Sequence, residues 1–295
     1  MERLHWAQLP TGPRRAVEER FGPVTTAHSA PPGLTLGVAA KLVTATGPLF
    51  LKAIPTDDPT ARLYAREHAV GHRMPPQTPA PRLLWSHDLD GWTLLAFEFV
   101  NGRSADLSPG SADIPPILDT LTRLPTELTP SPWPQAPSIT TKLTILHRKA
   151  RLFLANRPQD VPSHRQYAHL IHTFDPADAT GRTLAHADLH AGNLLIADHR
   201  AFVIDWALAS HAAPWVDAAL LAPRFIVAGH TAHTTHQLLE SLPAWQHAPW
   251  ETIFGLAATL ALFREYEARY GPPRLRTRRK QVADAGHTWL RTHAS

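Results

Sequence analysis

The segment 183–206 reads TLAHADLHAGNLLIADHRAFVIDW and carries three oxygen-bearing side chains, Asp188, Asn193 and Asp205. A carboxylate on a loop can take a proton from a hydroxyl, and an amide oxygen beside a second carboxylate suits a hard cation such as magnesium. The spacing offers a way to bring these groups together. Two apolar runs, Leu194-Leu195-Ile196 and Phe202-Val203-Ile204, flank Asp198-His199-Arg200, which predicts an antiparallel hairpin centred on His199. Asn193 and Asp205 then stand at its open end, and directly opposed residues of such a pair approach to about 4.5–5.5 Å. Asp188 lies on the loop entering the first strand, within reach of the same point. Taken singly, Asp188 and Asn193 read equally well as turn formers and Asp205 as a helix cap. Their order, H-x-D-x-x-x-x-N followed by a strand that ends in Asp, points to a site.

A second pair comes from the amino-terminal third. Runs 38–43 and 49–54 are β-prone and flank Thr46-Gly47-Pro48, which is hairpin chemistry. In the second run Lys52 alternates with Phe50 and Ile54 and so points to an apolar face. Asp57-Asp58-Pro59 opens a helix predicted over 59–74. On that helix Leu63, Glu67, Val70 and Met74 form one stripe, with a carboxylate in its middle. A carboxylate on a buried face needs a partner, and so does an ammonium on an apolar strand face. A snorkelling Lys52 and a solvated Glu67 are the plainer alternative. Further strands are expected at 82–86 and 93–100, and Asn101-Gly102 ends the second. Helices follow at 114–128, 140–155 and 163–174.

With these residues in place, His186-Ala187-Asp188-Leu189-His190-Ala191-Gly192-Asn193 resembles the catalytic loop of the aminoglycoside phosphotransferase and choline kinase-like family, distant relatives of protein kinases. Ile204-Asp205-Trp206 resembles the family's metal-binding segment. The resemblance implies an α+β, protein-kinase-like bilobal fold. Residues 1–101 would form a small β-rich nucleotide-binding lobe, and residues 102–295 a helical lobe carrying the catalytic loop and the acceptor site. It implies that Asp188 acts as base, that Asn193 and Asp205 bind Mg2+, and that Lys52 paired with Glu67 grips the phosphates of ATP, with GTP as the alternative donor. Phe97, Glu98 and Phe99 resemble the hinge whose backbone binds the adenine edge. His186 would buttress the catalytic loop, and Asp217 would begin a core helix and brace that loop. The stretch 28–37 stands where a phosphate-covering loop belongs, yet it lacks G-x-G-x-x-G, and no Walker A sequence occurs.

Composition narrows the remaining choices. The chain has 295 residues, 43% of them hydrophobic and 18% charged, enough for two lobes with their own cores. It has no cysteine, so disulfides, thiolate metal sites and cysteine nucleophiles are excluded. The amino terminus lacks a signal-peptide pattern and no apolar run approaches a membrane span, which predicts a cytoplasmic protein without membrane contact. A net charge of +4 fits an anionic ligand. The one basic cluster, Arg274, Arg276, Arg278, Arg279 and Lys280, reads as a solvated helix start, so no nucleic-acid partner is expected. His230, His233 and His236 have a spacing that zinc could use, but no fourth ligand stands nearby. Trp245, Trp250 and Trp289 read as core or pocket walls.

The short distance from Asp205 to Pro214-Trp215-Val216-Asp217 leaves no room for a long activation loop. That favours a small-molecule hydroxyl acceptor over a switchable protein kinase. A kinase acting on a peptide Ser or Thr and a nucleotide-binding pseudoenzyme are the alternatives. Glu240, Glu251, Glu265, Glu267 and Asp284 are scattered among arginines and histidines, so the sequence makes no case for a cationic antibiotic.

Overall fold

The run from Val38 to Pro55 folds as its composition directs. Apolar and β-branched residues fill two strands, Ala45 and Thr46 make the turn, and Gly47 has a φ of +117° that only glycine adopts readily. The computed structural model describes residues 3–31, 35–156, 161 and 163–293. Residues 32–34 of the expected phosphate-covering loop lie outside them. The chain divides into two units, residues 1–103 with 202–208 and residues 104–201 with 209–295.

In the smaller unit, helix α1 (Thr11–Phe21) precedes strands β1 (Val24–Ser29), β2 (Val38–Thr44) and β3 (Gly47–Pro55). Helix α2 (Ala61–Gly71) and strands β4 (Leu83–Leu89) and β5 (Trp92–Glu98) follow. The five strands form one antiparallel sheet in the order β1-β2-β3-β5-β4. Alternation along β3 gives the sheet two faces. Leu49, Leu51 and Ala53 pack with Val17 and Phe21 of α1, while Ile54 packs with Tyr64 of α2, Leu95 and Phe97. Fully burying each such large apolar side chain stabilises the fold by about 1.5–3 kcal/mol.

The amino-terminal segment is a short 3-10 turn, Trp6–Gln8, followed by α1, with Pro10 preceding the first helical turn. Strand β1 had no sequence signal. Most of its side chains are exposed, and pairing with β2 alone makes it a strand. Helix α2 is shorter than 59–74, and its buried stripe is Tyr64, Glu67 and Val70, not one running from Leu63 to Met74. Glu67 keeps its place in the stripe.

The larger unit is mainly helical. Its first elements are β6 (Arg103–Ser104), α3 (Ile114–Glu127), α4 (Ile139–Ala155) and α5 (His164–Thr173). Strands β7 (Thr183–Ala185), β8 (Leu194–Ala197), β9 (Arg200–Val203) and β10 (Ser210–Ala212) come next. Helices α6 (Val216–Val227), α7 (Ala232–Glu240), α8 (Pro243–Gln246), α9 (Trp250–Tyr270) and α10 (Arg276–His293) complete it. Strands β7 and β10 pair antiparallel, and β6, β8 and β9 make a three-stranded sheet in which β8 is central. The unit boundary runs through β6 and β9. Helix α9 packs against α4, α5 and α10, and this is the unit's core. No helix among the described residues is long and apolar enough to cross a membrane.

The basic start of α10 is only partly solvated. Arg279 Nη1 lies 2.9 Å from Glu267 and Lys280 Nζ 3.1 Å from Glu265, both acids of α9. The three spaced histidines do not share a helix. His230 precedes α7 and its ring meets the Leu107 carbonyl at 2.9 Å, while His236 lies 3.0 Å from Glu240. No group of three or more His, Asp or Glu side chains among the described residues is placed to hold a metal ion. Trp245 and Trp289 are buried, and Trp250 is partly exposed.

Candidate active site

In the smaller unit, the pleat of β3 sends Lys52 toward the face that α2 covers. Its Nζ lies 2.7 Å from both carboxylate oxygens of Glu67 and 3.0 Å from Asp205 Oδ1. Asp205 reaches this place because the segment 202–208 is anchored in the unit. Val203 N–H donates to the Pro79 carbonyl at 2.7 Å, and the Trp206 indole N–H donates to the Val203 carbonyl at 2.9 Å. The Trp206 backbone N–H donates to Glu67. Burial opposes the charge on Lys52, but Glu67 and then Asp205 outweigh it and hold the ammonium protonated well above the usual lysine range. One cation therefore sits between two carboxylates. Glu67 is almost wholly buried, and the Asp205 side chain is half exposed.

In the larger unit, the catalytic-loop residues are held by a buried acid from a distant element. Asp217, in the first turn of α6, accepts the backbone N–H of His186 at 2.7 Å and of Ala187 at 2.8 Å. Lys142 of α4 donates to the Ala187 carbonyl at 2.5 Å. Ala187 has a φ of +63°, a left-handed conformation that costs a side-chain-bearing residue about 1–3 kcal/mol. These contacts at its N–H and carbonyl hold it there. Burial pushes the Asp217 carboxyl up, and His186 and the two backbone donors oppose that shift. His186, fully buried, accepts the Asp188 N–H on Nδ1 at 3.2 Å. The Asn193 amide donates from Nδ2 to the Asp188 carbonyl at 3.0 Å, which turns its oxygen away from that bond. The loop is thus cross-braced, with the Asp188 side chain outside the bracing.

The hairpin differs from its expected form in detail. Asp198 and His199 have φ values of +48° and +59°, the two left-handed residues of a type I′ turn. The centre of the hairpin lies between them rather than on His199. Strand β9 ends at Val203, and Asp205 stands beyond it with a φ of +65°. Asn193 precedes β8 and Asp205 follows β9, so neither lies within the strands of the hairpin.

Of the other expected residues, Phe97 is buried on the α2 side of the sheet. Glu98 ends β5, its backbone N–H donating to the Arg82 carbonyl at 2.9 Å and its carboxylate meeting Arg82 Nε at 3.2 Å. Lys41 Nζ lies 4.2 Å from the centre of the Phe99 ring.

Sequence reading missed three cations. A pocket in the larger unit has Asp188 on its wall together with Lys142, Arg224 of α6 and Arg264 of α9. Trp245 and Trp289 line it too, with aliphatic side chains from α4, α6, α9 and α10. Nothing in the local sequence marks these cations, because they come from three helices far apart along the chain.

The profile of the phosphotransferase enzyme family matches residues 38–250. The chain also resembles solved structures. One is an aminoglycoside phosphotransferase held with ADP and hygromycin B, at 16% identity and a TM-score of 0.62, covering 95% of this chain and 98% of that one. A macrolide 2'-phosphotransferase from Brachybacterium faecium is 15% identical, with a TM-score of 0.61 and coverage of 94% and 96%. Choline kinase from Streptococcus pneumoniae is 15% identical, with a TM-score of 0.60 and coverage of 92% and 98%. At these identities the likeness is one of fold, and the fold is protein-kinase-like. Comparison with curated protein sequences gives no match.

Proposed function

The chain belongs to the phosphotransferase enzyme family, and from that premise we propose that it phosphorylates a hydroxyl group, moving the γ-phosphate of ATP to a small molecule with Asp188 as base. The observation that carries this reading is the bracing around Asp188. His186, Asn193 and Asp217 fix the backbone on both sides of it and leave its carboxylate uncommitted to any of them. Phosphoryl transfer depends on positioning and charge more than on covalent chemistry, so a carboxylate held still beside the acceptor hydroxyl is what the reaction needs.

The smaller unit supplies the complementary charge. Lys52, kept protonated by Glu67 and Asp205, is suited to the donor's phosphates. Asn193 and Asp205 offer an amide oxygen and a carboxylate, hard ligands that suit Mg2+, an ion that keeps several water and phosphate oxygens and needs few protein ligands. Bound magnesium neutralises the charge that develops on the transferring phosphate. The backbone of Phe97, Glu98 and Phe99 receives the adenine edge, with residues 1–101 as the nucleotide-binding lobe and 102–295 holding the acceptor. His186 and Asp217 are positioning residues. ADP in the similar antibiotic kinase supports an adenine nucleotide as donor, with GTP as the alternative. Use of ATP fits work in the cytoplasm.

The test is ADP release from Mg-ATP across antibiotics, amino alcohols, sugars, hydroxy acids and nucleosides, with Asp188→Ala alongside. The expected result is acceptor-dependent release that Asp188→Ala loses while still binding Mg-ATP. Full transfer by Asp188→Ala would remove it as the base.

A further inference from the structure

The pocket beside Asp188 has an unusual balance of charge. Among the described residues Asp188 is the only carboxylate on its wall, against Lys142, Arg224 and Arg264. Among the described residues no carboxylate lies within ion-pair distance of either arginine, and Arg224 Nε is buried without a hydrogen-bond partner. Arg264 feels Asp188 and Glu267 electrostatically without an ion pair at bonding distance, and it lies 5.4 Å from the Phe263 ring centre. The two arginines also repel each other. Burial, then Arg264 and Arg278, lower the Arg224 pKa to about 10 against a smaller opposing pull from Asp188; burial lowers that of Arg264, with Asp188 and Glu267 opposing and Arg279 and Arg278 adding to the effect.

The nearby acids that might have balanced these cations are already engaged. Glu265 faces Lys280 at 3.1 Å and His287 at 3.3 Å, and Glu267 faces Lys149 and Arg279, each at 2.9 Å. These half-buried guanidiniums have lost part of their hydration without gaining an ion pair at bonding distance, and an anionic ligand would offset that cost. The rest of the wall is apolar, Trp245 and Trp289 included, around an empty space of about 880 Å³ that includes the mouth.

Building on the phosphotransferase reading, we propose that the acceptor is an anion: a hydroxyl compound with an apolar body and a carboxylate or phosphate, its anion held by Arg224 and Arg264 and its hydroxyl facing Asp188. The planar guanidinium forks suit two-point recognition of either oxyanion. A cationic acceptor would have Asp188 alone to pair with and three cations to repel it. Charge in the pocket, set by helices α4, α6 and α9, thus selects for the opposite sign of substrate from an ammonium-rich antibiotic.

The test titrates the full chain with matched probes of one body and three charges. 3-Phenyllactate and 3-hydroxydecanoate are the anions, their amides the neutral forms, and 2-amino-3-phenylpropan-1-ol the cation. Phosphorylated diols of similar size replace the carboxylate by a phosphate. The expected result is that a carboxylate or phosphate probe binds about 10- to 100-fold tighter than its neutral and cationic counterparts. Arg264→Gln and Arg224→Gln should remove that preference while Mg-ATP affinity stays within about twofold. Equal or tighter binding of the neutral or cationic probe overturns the inference, as does failure of every anionic probe to bind. Loss of Mg-ATP binding in the arginine variants, with acceptor preference unchanged, would assign the arginines to the donor's phosphate and also overturn it. Asp188→Ala separates the two readings. If it retains transfer, the base assignment falls, whichever probe the pocket prefers.

Discussion

Removing Lys52 should expose the energetics of the smaller unit in a form that can be measured. Its side chain is 16% exposed and that of Glu67 6%, with both carboxylate oxygens 2.7 Å from Nζ. Lys52→Met would leave Glu67 buried with the Trp206 N–H as a remaining donor. Breaking a buried pair from one side costs about 3–5 kcal/mol, and the residual exposure of Lys52 argues for about 3 kcal/mol. The chain has two units, so one melting midpoint need not report the smaller one. Hydrogen exchange of β3 and α2 amides reads it directly, and about 3 kcal/mol corresponds to roughly 150-fold faster exchange. The effect should depend on pH. Burial raises the Glu67 pKa in the folded chain, and loss of Lys52 raises it further. The stability of Lys52→Met is therefore full below the pKa of an unfolded glutamate and falls as pH rises through the folded value. The penalty should be largest near neutral pH and fade toward about pH 4.5. Lys52→Met with Glu67→Leu removes the orphaned charge and should recover stability to within about 1 kcal/mol of the parent. A single variant that costs less than about 1 kcal/mol, or a double variant no more stable than the single, would refute the buried-pair account.

Two other substitutions test the bracing and the core of the larger unit. Asp217→Asn keeps one acceptor oxygen and turns an amide N–H₂ toward the second backbone donor, which should destabilise the protein by about 2–3 kcal/mol in urea unfolding. It should also lower kcat more than acceptor affinity, since Asp217 positions the loop and touches no substrate; an unchanged kcat would contradict that role. Glu265→Gln tests the acid limb. Burial works against the Glu265 charge, but hydrogen bonds from His287 and Lys280 prevail and hold its pKa below the ordinary glutamate value. Its contribution is therefore present above an unfolded glutamate's pKa and is lost as pH falls through the lower folded value. The stability gap between parent and variant should be constant above about pH 5 and close below about pH 4; a gap that stays open there counts against the assignment.

Much of the molecule follows from short-range pattern. The two apolar runs around Asp198 and His199 could only be a hairpin, because residues that tolerate positive φ sit between alternating strands. Helices α3, α4 and α5 begin and end within a few residues of where proline, capping residues and periodicity place them. Glu67 on a buried stripe and Lys52 on an apolar strand face each required a partner, and that requirement is legible before any fold is known. Other features carry no local signal. Strand β1 is mostly exposed and becomes a strand only through hydrogen bonds to β2. Asp217 holds His186 and Ala187 from another element, and a carboxylate at a helix start does not reveal whose N–H it will accept. The charge of the pocket is the clearest case. In sequence, Glu265 and Glu267 lie beside Arg264 among many cations, and nothing says which charges cancel. Helical geometry turns Glu265, one residue on, away from Arg264 and toward Lys280 of α10, and Glu267, three residues on, is taken up by Lys149 of α4 and Arg279 of α10, while Arg264 lines the pocket with Arg224 and Asp188. Sequence fixes which residues want partners through burial and period; only the packing of distant helices decides which of them remain without one.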